Sequence, residues 1–238
     1  MNPTQQATWG TRVPLTITQA DALAATIAYS FGRTATGRRL YAYATFDAAL
    51  RDNPDHIEAA IHAANGLNAN LSAKDLLELA FLHEQNLLPD LRQLPPFWTW
   101  PGTGLVSNPR DGSFASVLWD WYEAVTQVKN LGGAASSKTG HHLASSVMPL
   151  WDSLVGRAWT NNRMWSELHT QLVLQSPWCN DLERGVETYR QVAENGFGIA
   201  LTRLRIVDCV TWLQARGELQ FAIGVGQLML AGLPWQNW

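Results

Sequence analysis

LGGAASSKTGHHLASSVMPLWDSLVGRAW, residues 131–159, is the stretch on which the reading of this chain turns. Gly132 and Gly133 make a turn into a short helix-like run. Pro149 stops that run, because it lacks the N–H that a continuing helix needs, and Asp152 stands where it can cap SLVGRAW. Two residues without side chains let another backbone approach closely, and the first turn of the following helix presents unpaired N–H groups to an anion. Ser136 and Ser137 add two hydroxyls that can bond a phosphate seated there. The same residues also make an ordinary tight turn packed through small side chains, with Asp152 as an ordinary cap. A catalytic Asp152 needs a cleft, in which its charge would stabilise a cationic transition state or take a proton from water.

Working outward, the segments on either side read as helical scaffold. SFASVLWDWYEAVTQVKN, residues 113–130, is an amphipathic helix feeding the diglycine turn. RMWSELHTQLVLQ, NDLERGVETYRQVAENG, IALTRLRIVDCVTWLQARG and ELQFAIGVGQLMLAG follow as further helices, with Gly196 and Gly217 as stops. Upstream, Thr16 or Thr18 caps a first helix that carries Ile17, Leu23, Ile27 and Phe31 on one face and ends at Gly32. Helical runs are also expected at residues 41–52, 55–66 and 72–86. The last opens on Ser72 and Asp75, spaced as a capping box, and places Leu76, Leu77, Leu79, Ala80 and Leu82 in the core. No segment sustains period-two alternation between hairpin turns, so the expected class is all-α. Residues 1–15 read as a loose arm and 16–238 as one helical domain. Within it, residues 88–112, with five prolines and three glycines, form a candidate lobe connection beside the hairpin motif at 129–159.

Composition narrows the classes. With 46% hydrophobic and 16% charged residues the chain can bury a real core. No stretch nears the roughly 18 apolar residues of a membrane span, and the first residues lack a basic region followed by an apolar one, so a cytoplasmic protein with no membrane partner is expected. Cys179 and Cys209 are too few for a disulfide framework or a four-cysteine metal centre. His141 and His142 are adjacent and point about 100° apart on a helix, which disfavours a shared metal. No metal and no cofactor are expected. Net charge is −3, yet the window from Lys129 to Arg163 carries +3 and the remainder −6. A basic window on an acidic body reads either as a local footprint for a polyanion or as chance among five charges.

The hairpin resembles the signature of the helix-hairpin-helix base-excision DNA glycosylases, the superfamily of endonuclease III and the 8-oxoguanine glycosylases. Gly133 precedes Asp152 by 19 residues, and PLWDSLVGRA follows the family's Pro-x-x-Asp segment and its Val- and Arg-containing helix. The N-terminal helices and RLRIVDCVTWLQ are also similar to uncharacterised bacterial domains that share a Ser-Lys near the hairpin, here Ser137-Lys138. The resemblance implies a helix-hairpin-helix glycosylase-like fold, in two lobes around a cleft. It implies that Gly132 and Gly133 hold a DNA phosphate, helped by Ser136, Ser137 and Arg157. Asp152 would stabilise the oxocarbenium-like sugar as the base departs. Lyase-type members carry lysine two residues past the last hairpin glycine; Ala135 stands there, which implies simple hydrolysis. Lys138, one turn on, would support Asp152 or act as a lysine nucleophile. The turn itself departs from the family's Gly-x-Gly.

Such an enzyme stacks its flipped base on aromatic side chains. Among twelve tryptophans, Trp119, Trp121, Trp151, Trp98 and Trp100 lie near the motif, with Trp119, Trp151 and Asn130 as candidate base-pocket residues. The expected partner is duplex DNA, with no obligate protein partner; the substrate is a damaged base or a hypermodified base of phage DNA, the latter an antiviral role. Asp208 interrupts an apolar helix, and a buried carboxylate there needs Arg203 or Arg205. Two other classes stand beside the enzyme: a non-catalytic helix-hairpin-helix module that binds DNA or protein, and a helical interaction protein with no nucleic-acid partner.

Overall fold

The structure, a computed structural model, describes residues 4–11, 14–32, 34–38, 40, 65, 71–101, 113–129, 131–159, 164–192 and 201–231. The helices expected over 41–52 and 55–66 therefore lie outside the described residues, save Asn65. So do Asn130 and residues 102–112 of the proline-rich stretch.

Helices dominate: α1 (Gln19–Phe31), α2 (Ala73–Glu84), α3 (Phe114–Thr126), α4 (Gly133–Leu143), α5 (Val155–Ala158), α6 (Met164–Leu174), α7 (Ser176–Val192), α8 (Arg203–Arg216) and α9 (Leu219–Ala231). Among the described residues no helix is long and apolar enough to cross a membrane.

The N-terminus differs from its expectation as a loose arm. Gln6–Trp9 (β1) pairs antiparallel with Leu15–Thr18 (β2), Ala7 opposite Ile17 and Trp9 opposite Leu15. These four side chains are buried and those between them face outward. Ile17 thus belongs to β2 and not to the first helix. Each strand has only two apolar positions, too few to register as alternation; pairing makes the strand. The hairpin is tied down by Trp9, edge-on to Trp178 at 5.8 Å, and by Trp178 Nε1, which donates to Gln5 O at 3.2 Å.

Helix α1 begins where Thr18 accepts from the Asp21 N–H at 3.0 Å. Its Ala22, Ala24, Ala25, Ile27 and Ala28 have no exposed surface, so small side chains let neighbours close in around it. α9 comes nearest, because a Cβ on Gly226 would lie 1.8 Å from Ala24 O. α7 and α8 complete the wall, and residues 203–211 of α8 are all buried.

Ser72 and Asp75 form the expected capping box of α2. Leu77 is a correction: expected in the core, it is 68% exposed. The buried side runs through Asp75 and Leu79, and a residue two positions from Leu79 is turned about 200° away from it. The described part of the proline-rich stretch is packed. Phe97 and Trp100 are buried, Phe97 N–H donates to Ser146 O at 2.8 Å, and Trp100 O meets His169 Nε2 at 3.0 Å. α3 and α4 cross closely at Gly140, where a Cβ would come 2.8 Å from the Trp121 ring and 2.9 Å from Met148. α5 packs on α8, and Thr202 Oγ1 donates to Ser145 O at 2.8 Å.

Candidate functional site

The turn and the helix form where the glycines, Pro149 and Asp152 placed them. Gly132 stands at the N-cap of α4 with φ −64° and ψ 169°, and the Ser136 N–H closes the first turn onto Gly132 O at 3.0 Å. A Cβ at Gly132 would meet nothing within 4 Å, so the space before the helix is open. Gly133 is the opposite case. A Cβ there would lie 2.3 Å from Tyr122 Oη and 3.5 Å from the Trp151 ring.

The two serines face inward. Ser136 Oγ donates to Leu131 O at 3.1 Å. Ser137 Oγ accepts from the Trp151 N–H at 3.0 Å and lies 2.8 Å from Trp151 O and 3.0 Å from Ala134 O. Both serines have no exposed surface. Their hydroxyls therefore work inside the fold, and Ser137 straps the Pro149–Asp152 segment to α4.

Asp152 Oδ1 accepts from the N–H groups of Leu154 and Val155, each at 2.8 Å, and its carbonyl accepts from the Gly156 N–H at 2.8 Å. It is the cap of α5 that the sequence suggested. The short helix in turn presses on α8, which brings Asp152 within electrostatic reach of Asp208 and of Lys138 on α4. Lys138 is half-buried. Burial pushes its ammonium below the usual lysine range, and the negative charges of Asp152 and Asp208 push back. Asp208 is 9% exposed. Burial first, then repulsion from Asp152, raises its pKa to about 8, while Lys138 and Arg205 oppose the shift.

Arg203 is a correction. Expected as one choice of partner for Asp208, it serves another cluster, with its guanidinium 3.0 Å from Glu183 Oε2, 3.1 Å from Ser176 Oγ and 4.3 Å above the Trp98 ring. Arg205 remains near Asp208 and also near two buried histidines. Burial, then the Arg205 charge, lowers His141 to about 3 and holds His142 well below the usual imidazole range. Both rings are neutral at pH 7, and the His141 Nδ1–H donates to Met148 O at 2.6 Å.

The tryptophans divide. Trp121 and Trp100 are core, and Trp98 lies under Arg203. Trp119 and Trp151 stay half-buried at the hairpin. Trp119, Tyr122 and Trp165 pack mutually with centroids 5.5 to 5.7 Å apart, and Trp151 fills the space left by Gly133 and Gly156. Sequence reasoning missed Tyr122 and Trp165. Tyr122 was within reach, since it lies three residues from Trp119 on one face of α3; nothing in the sequence tied Trp165 to the hairpin. Arg157 is exposed and borders a separate cavity of about 260 Å³ lined by Thr11, Leu15, Thr211 and Gln214. Asp208 was noticed only as a structural carboxylate.

Residues 13–215 match the family of unknown function DUF6308, which covers most of the chain, and the chain belongs to that family. No curated protein and no solved structure matches it.

Proposed function

We propose that this member of DUF6308 is a DNA glycosylase of the helix-hairpin-helix kind, which hydrolyses the N-glycosidic bond of a flipped base and leaves an abasic site. The observation that carries the reading is the Ser137 strap, which holds the segment bearing Asp152 against the helix bearing Lys138, beside an open, side-chain-free helix start at Gly132. In this reading the N–H groups of the first turn of α4 receive a DNA phosphate. The target nucleotide leaves the duplex at a cost of a few kcal/mol, offset in part by stacking on the Trp119, Tyr122, Trp151 and Trp165 surface. The Asp152 carboxylate faces the positive charge that develops on the sugar, and water adds at C1′. Ala135 is a buried methyl where lyase members carry lysine, which favours simple hydrolysis. Lys138 then supplies a positive charge to the DNA backbone and to Asp152.

The non-catalytic module has one specific observation in its favour: Asp152 already has structural work as the cap of α5. Two variants separate the readings. Asp152→Asn keeps an acceptor for Leu154 and Val155 and loses the charge, whereas Asp152→Ala also loses the cap, at about 1 kcal/mol. The test incubates wild type and Asp152→Asn with duplexes carrying damaged bases and with phage DNA rich in hypermodified pyrimidines. Released base is read by mass spectrometry and abasic sites by alkaline cleavage. Release by wild type, reduced about 10²-fold or more in a stably folded Asp152→Asn, supports the glycosylase. No release from any substrate, with salt-dependent duplex binding unchanged in Asp152→Asn, leaves the binding module.

A further inference from the structure

The β-hairpin, the end of α5 and the last turns of α8 meet around the cavity of about 260 Å³, which the hairpin mechanism does not use. Its wall joins segments far apart in the sequence: Thr11 and Leu15, then Arg157 and Ala158, then Thr211 and the turn that follows it, where Gln214 and Ala215 stand. Leu15 and Thr211 are buried and form its deep side, whereas Arg157 and Gln214 are exposed at its edge. Small side chains at 11, 158, 211 and 215 keep the space open, although close packing leaves few voids larger than a water. The volume lies just under the roughly 300–1,000 Å³ of pockets that bury drug-sized ligands, so its occupant is smaller. The polar groups at the edge are uncommitted: neither the Arg157 guanidinium nor the Gln214 amide has a hydrogen bond or ion pair among the described residues. Thr211 Oγ1 donates its own proton to Val207 O at 2.8 Å, which leaves its lone pairs to accept. No carboxylate lines the cavity among the described residues.

We propose that this cavity binds a small organic monocarboxylate that carries a compact apolar body and a hydroxyl or amino group. The planar fork of Arg157 matches the two oxygens of a carboxylate. Leu15, Ala158 and Ala215 take the apolar body, and Thr211 Oγ1 accepts from the ligand's donor. A single negative charge fits better than the charge of about −1.5 to −2 on a phosphate monoester, because Arg157 is the one cation of the described lining and the last turn of α8 is the negative end of that helix. The site stands apart from the diglycine turn and does not rest on the glycosylase reading.

The experiment records ¹H–¹³C methyl spectra of the full chain, in which Leu15, Ala158, Thr211 and Ala215 report on the cavity wall. The probes are benzoate, 4-hydroxybenzoate and free leucine, with benzamide, inorganic phosphate and a short DNA duplex as comparisons. At least one of the carboxylates should shift these methyls saturably, with a Kd of about 1 mM or tighter. Benzamide, which lacks the charge, should bind roughly 10-fold more weakly or worse, and Arg157→Gln should weaken the carboxylate by a similar factor. Arg157 is exposed, so this variant keeps the fold. Ala215→Phe fills the cavity while Arg157 stays, and should abolish the shifts at Leu15 and Thr211. No saturable shift from any of these carboxylates would overturn the proposal, as would equal binding of benzamide or full binding in Arg157→Gln. Shifts that survive Ala215→Phe would place the anion on the surface and overturn it too. Response to phosphate or to the duplex alone would assign Arg157 to a nucleic-acid backbone and remove the carboxylate site.

Discussion

Replacing Gly133 by alanine should set one methyl against one hydroxyl. The added Cβ would lie 2.3 Å from Tyr122 Oη, whereas carbon in good contact keeps roughly 3.5 Å, so about 1 Å must be found. Tyr122 cannot swing away cheaply, since its ring packs against Trp119 at 5.6 Å and Trp165 at 5.5 Å. Overpacking of this kind costs roughly 1–3 kcal/mol, and a chain of this length loses about 2–4 °C in Tm per kcal/mol. Tyr122→Phe removes the offending oxygen. The next contacts, Tyr122 Cζ and Trp151 Cζ3, are both at 3.5 Å, an ordinary separation. Gly133→Ala should therefore be destabilising in wild type and close to neutral in Tyr122→Phe. Urea unfolding of the four proteins, followed by tryptophan fluorescence, measures the coupling. An energy below about 0.5 kcal/mol would mean additive sites and would refute the close packing of the hairpin on α3.

The remaining predictions concern packing and pH. On α9, Gly224 has nothing within 4 Å of a Cβ, and Gly226 would place one 1.8 Å from Ala24 O. Gly224→Ala should then gain up to about 1 kcal/mol from helix propensity, while Gly226→Ala should lose more than that by forcing α1 and α9 apart; shifts of the same sign in thermal unfolding would contradict the α1–α9 contact. Stability should also pass through a maximum near neutral pH. His141, at about 3 in the fold and near 6.5 unfolded, is a depressed group, so the unfolded chain takes up its proton first and stability falls as pH drops below about 6.5; His142 adds to this. Asp208, at about 8 in the fold and near 3.9 unfolded, is a raised group whose contribution is complete at low pH and is lost as pH rises through 8. Urea midpoints from pH 4 to 9 should trace both limbs, and Asp208→Asn should flatten the alkaline one. A midpoint that rises from pH 7 to 9 in wild type would contradict the protonated Asp208.

The turn, the caps and most of the helices were legible because each is fixed by a few neighbouring residues. Gly217 takes φ 73° to end α8, Thr18 accepts from the Asp21 N–H to open α1, and Ser72 with Asp75 opens α2. The β-hairpin was not, since β1 acquires its identity from a partner six residues away and from Trp178 far along the chain. Leu77 shows the limit of composition, for a leucine-rich helix does not say which leucine faces out. Within the candidate site, Gly132, Gly133, Asp152 and Lys138 could be singled out together because they share one stretch of sequence. Ser136 and Ser137 were found too, but the direction of a hydroxyl depends on tertiary neighbours, and here those neighbours are Leu131 and Trp151. Asp208 lies 56 residues beyond Asp152, and only the packing of α5 on α8 brings the two together.

The grip of Ser137 on Trp151 uses only main-chain atoms of that residue, its N–H and its carbonyl. The main chain at residue 151 is therefore held independently of its own side chain, while the Trp151 ring and the Asp152 carboxylate add packing and a cap to that hold. Loss of the Ser137 hydroxyl is different in kind, because it releases the whole segment at once. A substitution at Trp151 or Asp152 should therefore cost only its own packing or its own cap, whereas one at Ser137 should cost the position of the whole segment.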